Sequence, residues 1–297
     1  MREESQSFPP YPTDPFGRDE TVEVKVGASG GSRVFELTTT AARRDNPSRQ
    51  RRIEERPTDP RLLTGSPLFD ALFAQAVDDA RLNAVSSIRD GAYRHGEPIP
   101  CECYQTGEKW TYVWTRDVSY ATHLGLAALD PERATATLLY KVSPFRDGLS
   151  LPGELPADSL QIVQDTGSGG SWPVSTDRVS WAFGAEALLG TLHGAARTVF
   201  ADIAFRALSG TIEADRLAAF DEADGLYRGE QSFLDWRDQT YAPWVIDDLT
   251  TIATSKALST NVCHYKALDL SARLAAERGD EAKADRYAGW AAELRAA

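Results

Sequence analysis

Alternating apolar and polar side chains near the start of the chain predict two β-strands. Apolar residues occupy every second position in Thr21–Val26, and a similar pattern follows in Arg33–Thr38. A period of two is typical of strands with one buried face. The glycine-containing segment 27–31 between them predicts a turn. Because two strands alone do not form a stable sheet, we expect them to pair with further strands or to pack on the helical remainder of the chain.

A helical region follows these strands. The charged, proline-containing segment 43–60 is predicted to be a linker. Ser66 followed by Pro67 is typical of a helix N-cap and first helical position. Apolar residues then recur every three or four positions, which predicts an amphipathic helix that extends to about Asp90. A polar loop that contains Gly and Pro is predicted for residues 91–109.

Further helical patterns occupy most of the remaining chain. The predicted helices are Asp117–Leu129, Pro131–Val142, Thr176–His193, Ala195–Leu208, Ala257–Arg278 and Asp280–Ala297. Two long irregular segments interrupt them, residues 143–172 and 221–256, and the second contains a predicted tight turn at Asp224-Gly225. Irregular segments of this length in a compact domain often carry function.

Helix pairs joined by short links and separated by long loops are typical of helical toroids and solenoids. We therefore predict a mainly α fold, an α/α toroid of the six-hairpin type with a short N-terminal β segment. The β-rich segment and its linker span residues 1–60, and the helical-hairpin domain spans residues 61–297. The long loops are expected to gather at one rim, where binding loops are commonly found.

Composition and charge narrow the choice of partners. The 297 residues are 42% hydrophobic and 26% charged, as in globular proteins, and carry a formal net charge of −12. Because an acidic surface repels nucleic acid and anionic membranes, neither is expected as a partner. The N-terminal residues lack the apolar core of a signal peptide, and no segment approaches the length of a membrane span, which favours a cytoplasmic protein.

The cysteines and histidines do not predict a metal or cofactor site. Cys101 and Cys103 are separated by one residue, which is too close for an ordinary disulfide bridge. The four histidines are scattered, so a metal site would lack ligands. A catalytic Cys–His pair stays an open alternative, since the pattern does not distinguish it from ordinary packing.

The first candidate site is the aromatic segment that leads into a helix at residues 110–117. Trp114 is followed by Arg116 and Asp117. An aromatic face that can stack on a sugar ring therefore adjoins hydrogen-bond donors and an acceptor, which suits a polyhydroxylated ligand. The alternative, slightly favoured by the spacing alone, is that the tryptophans belong to the core and Asp117 only caps the helix.

The second candidate site is segment 229–244, which concentrates three acidic residues, one arginine and four aromatic residues. Glycoside hydrolysis needs two carboxyl groups, and the one that acts as acid is kept protonated by an apolar setting. Asp235 lies between Leu234 and Trp236, which supply such a setting. The other candidate substrate ligands of this segment are Glu230, Trp236, Arg237 and Asp238. A solvated loop is the alternative, and the density of aromatic residues counts against it.

Two further places supply candidate ligands. Asn261 and Tyr265 lie four residues apart at the start of a predicted helix, so they share one face. The pattern alone favours a helix cap for Asn261 and packing for Tyr265. Trp172 lies at the end of a glycine- and serine-rich loop and is a candidate aromatic ligand.

Taken in order, these segments resemble the (α/α)6-barrel, or six-hairpin, glycoside hydrolases. The nearest families in this resemblance are the glucosidase domain of glycogen-debranching enzymes and the processing α-glucosidases. The segments that carry it are Trp114-Thr115-Arg116-Asp117, Thr176-Asp177-Arg178 with Trp181, Ser232-Phe233-Leu234-Asp235, and Thr260-Asn261-Val262-Cys263-His264-Tyr265-Lys266-Ala267-Leu268. The resemblance covers the chain from about Pro67 onward.

The resemblance implies an inverting hydrolase of α-glucosides or related oligosaccharides that needs no cofactor. It implies that Arg116 and Asp117 hold hydroxyl groups of the sugar and that Asp235 is the general acid. The residues around Asp235 depart from the family pattern, so Asp238 and Glu230 stay open as alternative acids.

The resemblance also implies that the chain is the N-terminal portion of a longer enzyme. The family fold has twelve helices, whereas the sequence predicts about seven here, and the family's general base lies in the second half of the barrel. Two alternatives are a sugar epimerase or isomerase on a similar barrel and a non-catalytic carbohydrate-binding protein. The sequence makes no prediction of oligomeric state.

Overall fold

The computed structural model describes residues 6–8, 10–12, 20–41, 48–91, 94–143, 160–164, 172–231 and 241–297. The chain divides into two compact units, Met1–Asn83 and Ala84–Ala297. Helices account for about half of the chain, and the strands form small antiparallel sheets. The prediction of a mainly α fold is confirmed at this level.

A five-stranded antiparallel sheet forms most of the first unit. Its strands are β1 (Gln6–Ser7), β2 (Tyr11–Pro12), β3 (Thr21–Ser29), β4 (Ser32–Thr39) and β5 (Gln50–Glu54). Their order is β1-β3-β4-β5, and β2 also pairs with β3. The two strands predicted from alternation are confirmed as β3 and β4. Gly30 and Gly31 turn the chain between them with positive φ angles, which glycine adopts without strain.

Strand β5 corrects the prediction that residues 43–60 are a linker. It pairs with β4 in a register that sets Ile53 opposite Phe35, and both side chains are buried. Three of its other four residues are charged and the fourth is Gln50, so the segment lacks the alternation by which strands are recognised. Such polar composition is common in strands at the edge of a sheet.

Helix α1 (Pro67–Leu82) belongs to the first unit, and not to the helical unit as the sequence suggested. It begins as predicted, because the hydroxyl of Ser66 accepts a hydrogen bond from the backbone N–H of Phe69. It buries Ala71 and Ala74 in one core with residues of the sheet. The predicted end near Asp90 is wrong, because strand β6 begins at Ala84.

Strands β6 (Ala84–Ile88) and β7 (Ile99–Tyr104) form a hairpin where a loop was predicted. The pairing register shifts between Val85 and Ser87, where Cys101 and Glu102 of β7 lie between the paired residues Pro100 and Cys103. The Cα atoms of Cys101 and Cys103 are 5.2 Å apart, and their sulfur atoms are in contact. The bulge brings the two Cα atoms together, and the expectation that the pair forms no ordinary disulfide stays a prediction.

The second unit is built from helices with two further small hairpins. The helices are α2 (Thr115–Ala121), α3 (Ala127–Leu129), α4 (Pro131–Tyr140), α5 (Trp181–Thr191), α6 (Gly194–Ala219), α7 (Leu249–Thr254), α8 (Leu258–Glu277) and α9 (Glu281–Ala296). A π-helical turn, Thr122–Leu126, joins α2 to α3, and a 3₁₀ turn, Asp177–Ser180, leads into α5. The hairpins pair β8 (Val142–Ser143) with β9 (Gln161–Ile162) and β10 (Phe220–Asp221) with β11 (Leu226–Tyr227).

Local signals located most of these helices correctly. Asp130 caps α4 by accepting from the backbone N–H of Arg133, and Asp280 caps α9 in the same way. Gly279, with a φ of 74°, separates α8 from α9 as predicted. The turn at Asp224-Gly225 is confirmed between β10 and β11. Helix α6 is longer than predicted and ends at Ala219, because buried polar residues interrupt its apolar pattern.

The core of the second unit lies between α2, α4, α5, α6, α8 and α9. Trp181 is fully buried, donates its indole N–H to the carbonyl of Leu138 and stacks on Phe200. A Cβ atom on Gly184 would lie 3.1 Å from both Leu138 and the carbonyl oxygen of Ser119. Glycine at this position therefore lets α5 pack closely on α2 and α4. Among the helices that the structure describes, none combines the length and apolarity needed to cross a membrane.

Candidate functional site

Hydrogen bonds and an ion pair bring together segments of the second unit that are far apart in sequence. Arg116, in the first turn of α2, pairs with Asp177 before α5, with 2.7 Å between Nη1 and Oδ2. The backbone N–H of Glu230 donates to the carbonyl of Val174, at 2.9 Å. The hydroxyl of Thr260, in the first turn of α8, donates to the carbonyl of Glu230, at 2.7 Å. The three candidate segments therefore share one region of the unit, at the N-terminal ends of helices.

Arg116 is held between two carboxylates. Its guanidinium group contacts Asp177 and, at 3.5 Å, Asp117, and both Arg116 and Asp177 are buried. The second carboxylate oxygen of Asp177 accepts from the amide of Gln164. Removing two charges from water is costly, and such a pair persists when hydrogen bonds satisfy both groups. The guanidinium is thus fixed in position before any ligand arrives.

Asp117 is the accessible member of this group, with 44% of its side chain exposed. It lies in the first turn of α2, where a negative charge interacts favourably with the helix dipole. The predicted alternative, in which Asp117 is the helix cap, does not hold because Trp114 occupies the N-cap position. The ring of Trp114 lies 5.3 Å from that of Tyr112, and its backbone N–H donates to the hydroxyl of Thr106. The Asp117 carboxylate is therefore partly exposed to solvent and follows Trp114 by three residues.

Glu230 is buried where two loops meet, with 2% of its surface exposed. It forms a parallel β-bridge with Ser175, and the preceding residue, Gly229, forms another with Lys256. Gly229 has a φ of 127°, and a Cβ atom there would lie 2.8 Å from the carbonyl oxygen of Val174. The close approach of the two backbones therefore requires glycine at this position.

Asp215 organises a second buried cluster that the sequence prediction missed. Its carboxylate accepts from Arg178 at 2.6 Å and from the indole N–H of Trp172 at 2.7 Å, and it lies 3.5 Å from Nε2 of His264. Complete burial alone would raise the pKa of Asp215, but the charge of Arg178 and the contact with His264 outweigh it and hold the pKa below its ordinary value. The carboxylate is therefore ionised in the interior.

The sequence pattern of α6 does indicate that Asp215 is buried. Leu208, Ile212, Asp215 and Ala219 are spaced three or four residues apart, so the aspartate continues a buried apolar stripe of α6. A carboxylate in such a stripe requires a buried cation or donor. The pattern does not name the partner, because Arg178 and His264 come from other helices.

Trp172 is anchored by this cluster. Its indole N–H is bound to Asp215, and the guanidinium of Arg178 lies 5.2 Å from the centre of its ring. Trp172 is half-buried. The predicted aromatic ligand is therefore held in one orientation by two buried charged groups.

His264 is fully buried and packs in the core of the second unit. Its Nδ1 lies 2.8 Å from the carbonyl oxygen of Thr260, and its ring stacks on that of Tyr227 at 3.8 Å. Asn261 binds the same strand, because its side chain accepts from the backbone N–H of Tyr227 and donates to the carbonyls of Tyr227 and Ala257. In this arrangement Asn261 positions the β10–β11 hairpin against α8.

Asn261 and Tyr265 also line a cavity of about 610 Å³. This confirms that they share one face of their helix. The lining is mostly apolar and is formed by Leu226, Lys256, Leu258, Asn261, Val262, Tyr265, Leu294, Arg295 and Ala297. Arg116, Asp117 and Glu230 do not line this cavity, so the structure places the predicted ligands in two different locations.

The predicted acid Asp235 and its neighbours Trp236, Arg237 and Asp238 lie outside the described residues. The chain on either side is anchored, because the hydroxyl of Tyr241 accepts from the backbone N–H of Gln231 at 2.9 Å. Within the described part of the chain, no group of three or more His, Cys, Asp or Glu side chains is arranged to hold a metal ion.

Comparison of the chain with protein-family models, with curated proteins and with solved structures found no match. What distinguishes this region is that the loop 174–177 contacts both Arg116, through Asp177, and Glu230, through Val174.

Proposed function

We propose that this chain is a glycoside hydrolase domain that acts on α-glucosides or related oligosaccharides, on a helical toroid of the six-hairpin type. The observation that carries the proposal is the convergence of three motif segments on the loop 174–177: Arg116 pairs with Asp177, the backbone of Glu230 binds Val174, and Thr260 binds Glu230. Their order along the chain matches that of the resembling hydrolases. Backbone dipoles at helix N-termini favour anionic groups and polarised oxygens.

The residues divide into sugar-binding and proton-transfer roles. Asp117 accepts hydrogen bonds from sugar hydroxyls, and Arg116 fixes its orientation from the buried side. Trp114 and Trp172 supply aromatic faces for the apolar face of a sugar ring. Asp235, protonated in its apolar setting, donates its proton to the glycosidic oxygen as the bond to the anomeric carbon breaks.

The second half of the reaction inverts the configuration at the anomeric carbon. Water attacks from the face opposite the leaving group and gives its proton to a second carboxylate, about 6.5–9.5 Å from the first. We assign no base among these residues. The proposal for this chain is therefore tested first by binding and then by cleavage.

The binding test uses glucose, maltose, isomaltose and their longer homologues, measured by titration calorimetry. We expect saturable binding to the wild-type chain. Asp117→Asn should weaken it at least about 10-fold, because a charge-assisted hydrogen bond contributes roughly 1.5–3 kcal/mol. The matched control is Asp285→Asn, an exposed carboxylate on α9. Absence of saturable binding to every sugar would refute the proposal.

The cleavage test separates a hydrolase from a non-catalytic carbohydrate-binding protein. In a form of the protein that cleaves glucosides, Asp235→Asn should abolish cleavage and leave binding within about two-fold. Asp238→Asn and Glu230→Gln test the alternative acids. Normal cleavage by the Asp235→Asn protein would exclude Asp235 as the acid.

The epimerase alternative needs histidines that reach the sugar. His264, the histidine within the Thr260–Leu268 segment, is fully buried against Tyr227 and Thr260. This arrangement favours the hydrolase.

A further inference from the structure

We infer that Cys101 and Cys103 are a redox-active pair, a dithiol that closes to a disulfide by exchange with a small-molecule disulfide of the glutathione class and reopens with the corresponding thiol. The pair lies in strand β7, and neither cysteine belongs to the residues assigned to sugar binding or proton transfer. The inference therefore does not depend on the proposed function, and its experiment involves no sugar.

A bulge in the β6–β7 hairpin brings the two cysteines closer than a regular strand does. Strand β7 has two residues between the paired positions Pro100 and Cys103, whereas β6 has one residue between the partners of these positions. Residues two apart in a regular strand have Cα atoms about 6.4–6.8 Å apart, but those of Cys101 and Cys103 are 5.2 Å apart. Disulfides form at Cα separations of about 4.4–6.8 Å. The contracted strand therefore holds the two thiols within bonding reach.

The two thiols differ in exposure. Cys101 is half-buried, and its Sγ lies 3.8 Å from the carbonyl oxygen of Ala136 in α4. Cys103 is fully buried in the core of the second unit. A reagent in solvent therefore reaches Cys101 first, and Cys103 reacts with the sulfur of Cys101 from the inside. This division between an accessible thiol and a resolving thiol is typical of redox-active cysteines.

A purely structural disulfide does not account for the pair. The stabilisation that a disulfide gives increases with the length of the loop that it closes, and a single residue separates these cysteines. Other contacts hold the hairpin, because Arg133 donates to the carbonyls of Val85 and Cys103, at 2.9 and 3.3 Å. The backbone N–H of Tyr104 also donates to the hydroxyl of Thr137, at 2.9 Å. We therefore expect the fold to persist when the bond is open.

The exchange proceeds in two steps. The thiolate of Cys101 attacks one sulfur of oxidised glutathione, which breaks the S–S bond, releases one glutathione thiolate and leaves a mixed disulfide on Cys101. The thiolate of Cys103 then attacks the Sγ of Cys101, which releases the second glutathione thiolate and closes the intramolecular bond. The protein loses two electrons and two protons, and oxidised glutathione becomes two molecules of the thiol.

The experiment equilibrates the intact chain with mixtures of oxidised and reduced glutathione, quenches it in acid and labels the free thiols of the denatured chain with a maleimide. We expect all three cysteines to be labelled from the reduced mixture. From the most oxidising mixture we expect a label on Cys263 alone, with peptide mapping showing a bond between Cys101 and Cys103. Return to the reduced mixture should restore both lost labels.

Serine variants test the two roles. Cys103→Ser removes the resolving thiol, so glutathione should stay on Cys101 as a mixed disulfide. Cys101→Ser should leave Cys103 labelled from every mixture, because Cys103 is buried. Cys263→Ser is the matched control, since Cys263 is also a buried cysteine, and it should leave the Cys101–Cys103 transition unchanged. Circular dichroism checks that each variant folds.

Three outcomes in the wild-type chain would overturn the inference. The first is labelling of Cys101 and Cys103 from every mixture. The second is glutathione that stays on Cys101 while Cys103 is still labelled, because Cys103 then does not resolve the mixed disulfide. The third is a bond from either cysteine to a second copy of the chain. All three are measured without any substitution, so none depends on the folding of a variant.

Discussion

Single buried charges, each with a specific partner, determine the geometry of the candidate site. Arg116 pairs with Asp177, and Arg178 pairs with Asp215, in each case with both side chains buried. A buried pair stabilises little in comparison with an apolar pair of the same size, but loss of one partner leaves an unpaired charge in the interior. These pairs therefore contribute more to the positions of the site's side chains than to the overall stability of the fold.

The Arg116–Asp177 pair gives the first prediction. Arg116→Met should lower the free energy of unfolding by about 3–5 kcal/mol, because Asp177 remains buried without its cation. Arg197→Met removes an exposed pair with Glu277 and should cost less than about 1 kcal/mol. Urea denaturation measures both. A double variant, Arg116→Met with Asp177→Asn, should recover part of the loss; a loss equal to the sum of both single variants would contradict the coupling.

The lowered pKa of Asp215 gives the second prediction. A carboxyl group whose folded pKa lies below its unfolded value contributes stability that is present above about pH 4 and is lost as pH falls further. The unfolding free energy should therefore be steady near neutral pH and decline below about pH 4. Asp215→Asn should be less stable at pH 7 and decline less steeply. If the unfolding free energy of the variant declined below pH 4 as steeply as that of the wild type, Asp215 would not contribute to the acid sensitivity of the fold.

At the level of elements, the close approach of two loops creates the junction around Glu230. The loop before the 3₁₀ turn and the loop after β11 run side by side and are joined by the bridge between Ser175 and Glu230. Gly229 makes this approach possible because it lacks a side chain and adopts a φ of 127°.

Substitution of Gly229 gives the third prediction. Gly229→Ala should destabilise the protein by about 1–3 kcal/mol, because the backbone becomes strained and the new Cβ meets the carbonyl oxygen of Val174. It should also weaken sugar binding by displacing Glu230. Gly289→Ala is the control: it lies in α9 with open space around it and should stabilise by up to about 1 kcal/mol. Thermal unfolding measures the change in stability of each variant. Equal changes in the two variants would contradict the prediction.

At the level of the whole molecule, each of the two units has its own core and its own buried charges. In the first unit, Arg33 donates to Glu55, Asp70 and the carbonyl of Leu62. Burial acts to raise the pKa of Asp70, but hydrogen bonds from Thr64 and the charge of Arg33 lower it overall. This cluster links strand β4 to helix α1.

The fourth prediction concerns these separate cores. Arg33→Met should increase hydrogen exchange in strands β3 to β5 and leave exchange in α5 and α8 unchanged, because local stability follows local contacts. Arg52→Met, which removes an exposed pair with Glu54, should change neither region. Hydrogen exchange read by mass spectrometry resolves the two units. Increased exchange in α5 and α8 would show that the units unfold together.

The sequence by itself determined the features whose signals lie within a few residues. The β3–β4 hairpin, the cap at Ser66, the helix start at Pro131 and the break at Gly279 depend on local periodicity and local hydrogen bonds. Trp114, Arg116 and Asp117 are likewise neighbours in the sequence, so their proximity does not depend on the fold. For these features the prediction and the structure agree.

Only the tertiary structure decided which distant groups meet. Strand β5 exists because β4 offers an edge that buries Ile53, although its own composition is polar. Packing brings Arg178 and His264 to the buried carboxylate of Asp215. It also sets the side chain of Asn261 against the backbone of Tyr227. The physical reason is that a buried polar group is stabilised by whichever partner packing brings to it, and that partner is not encoded in neighbouring residues.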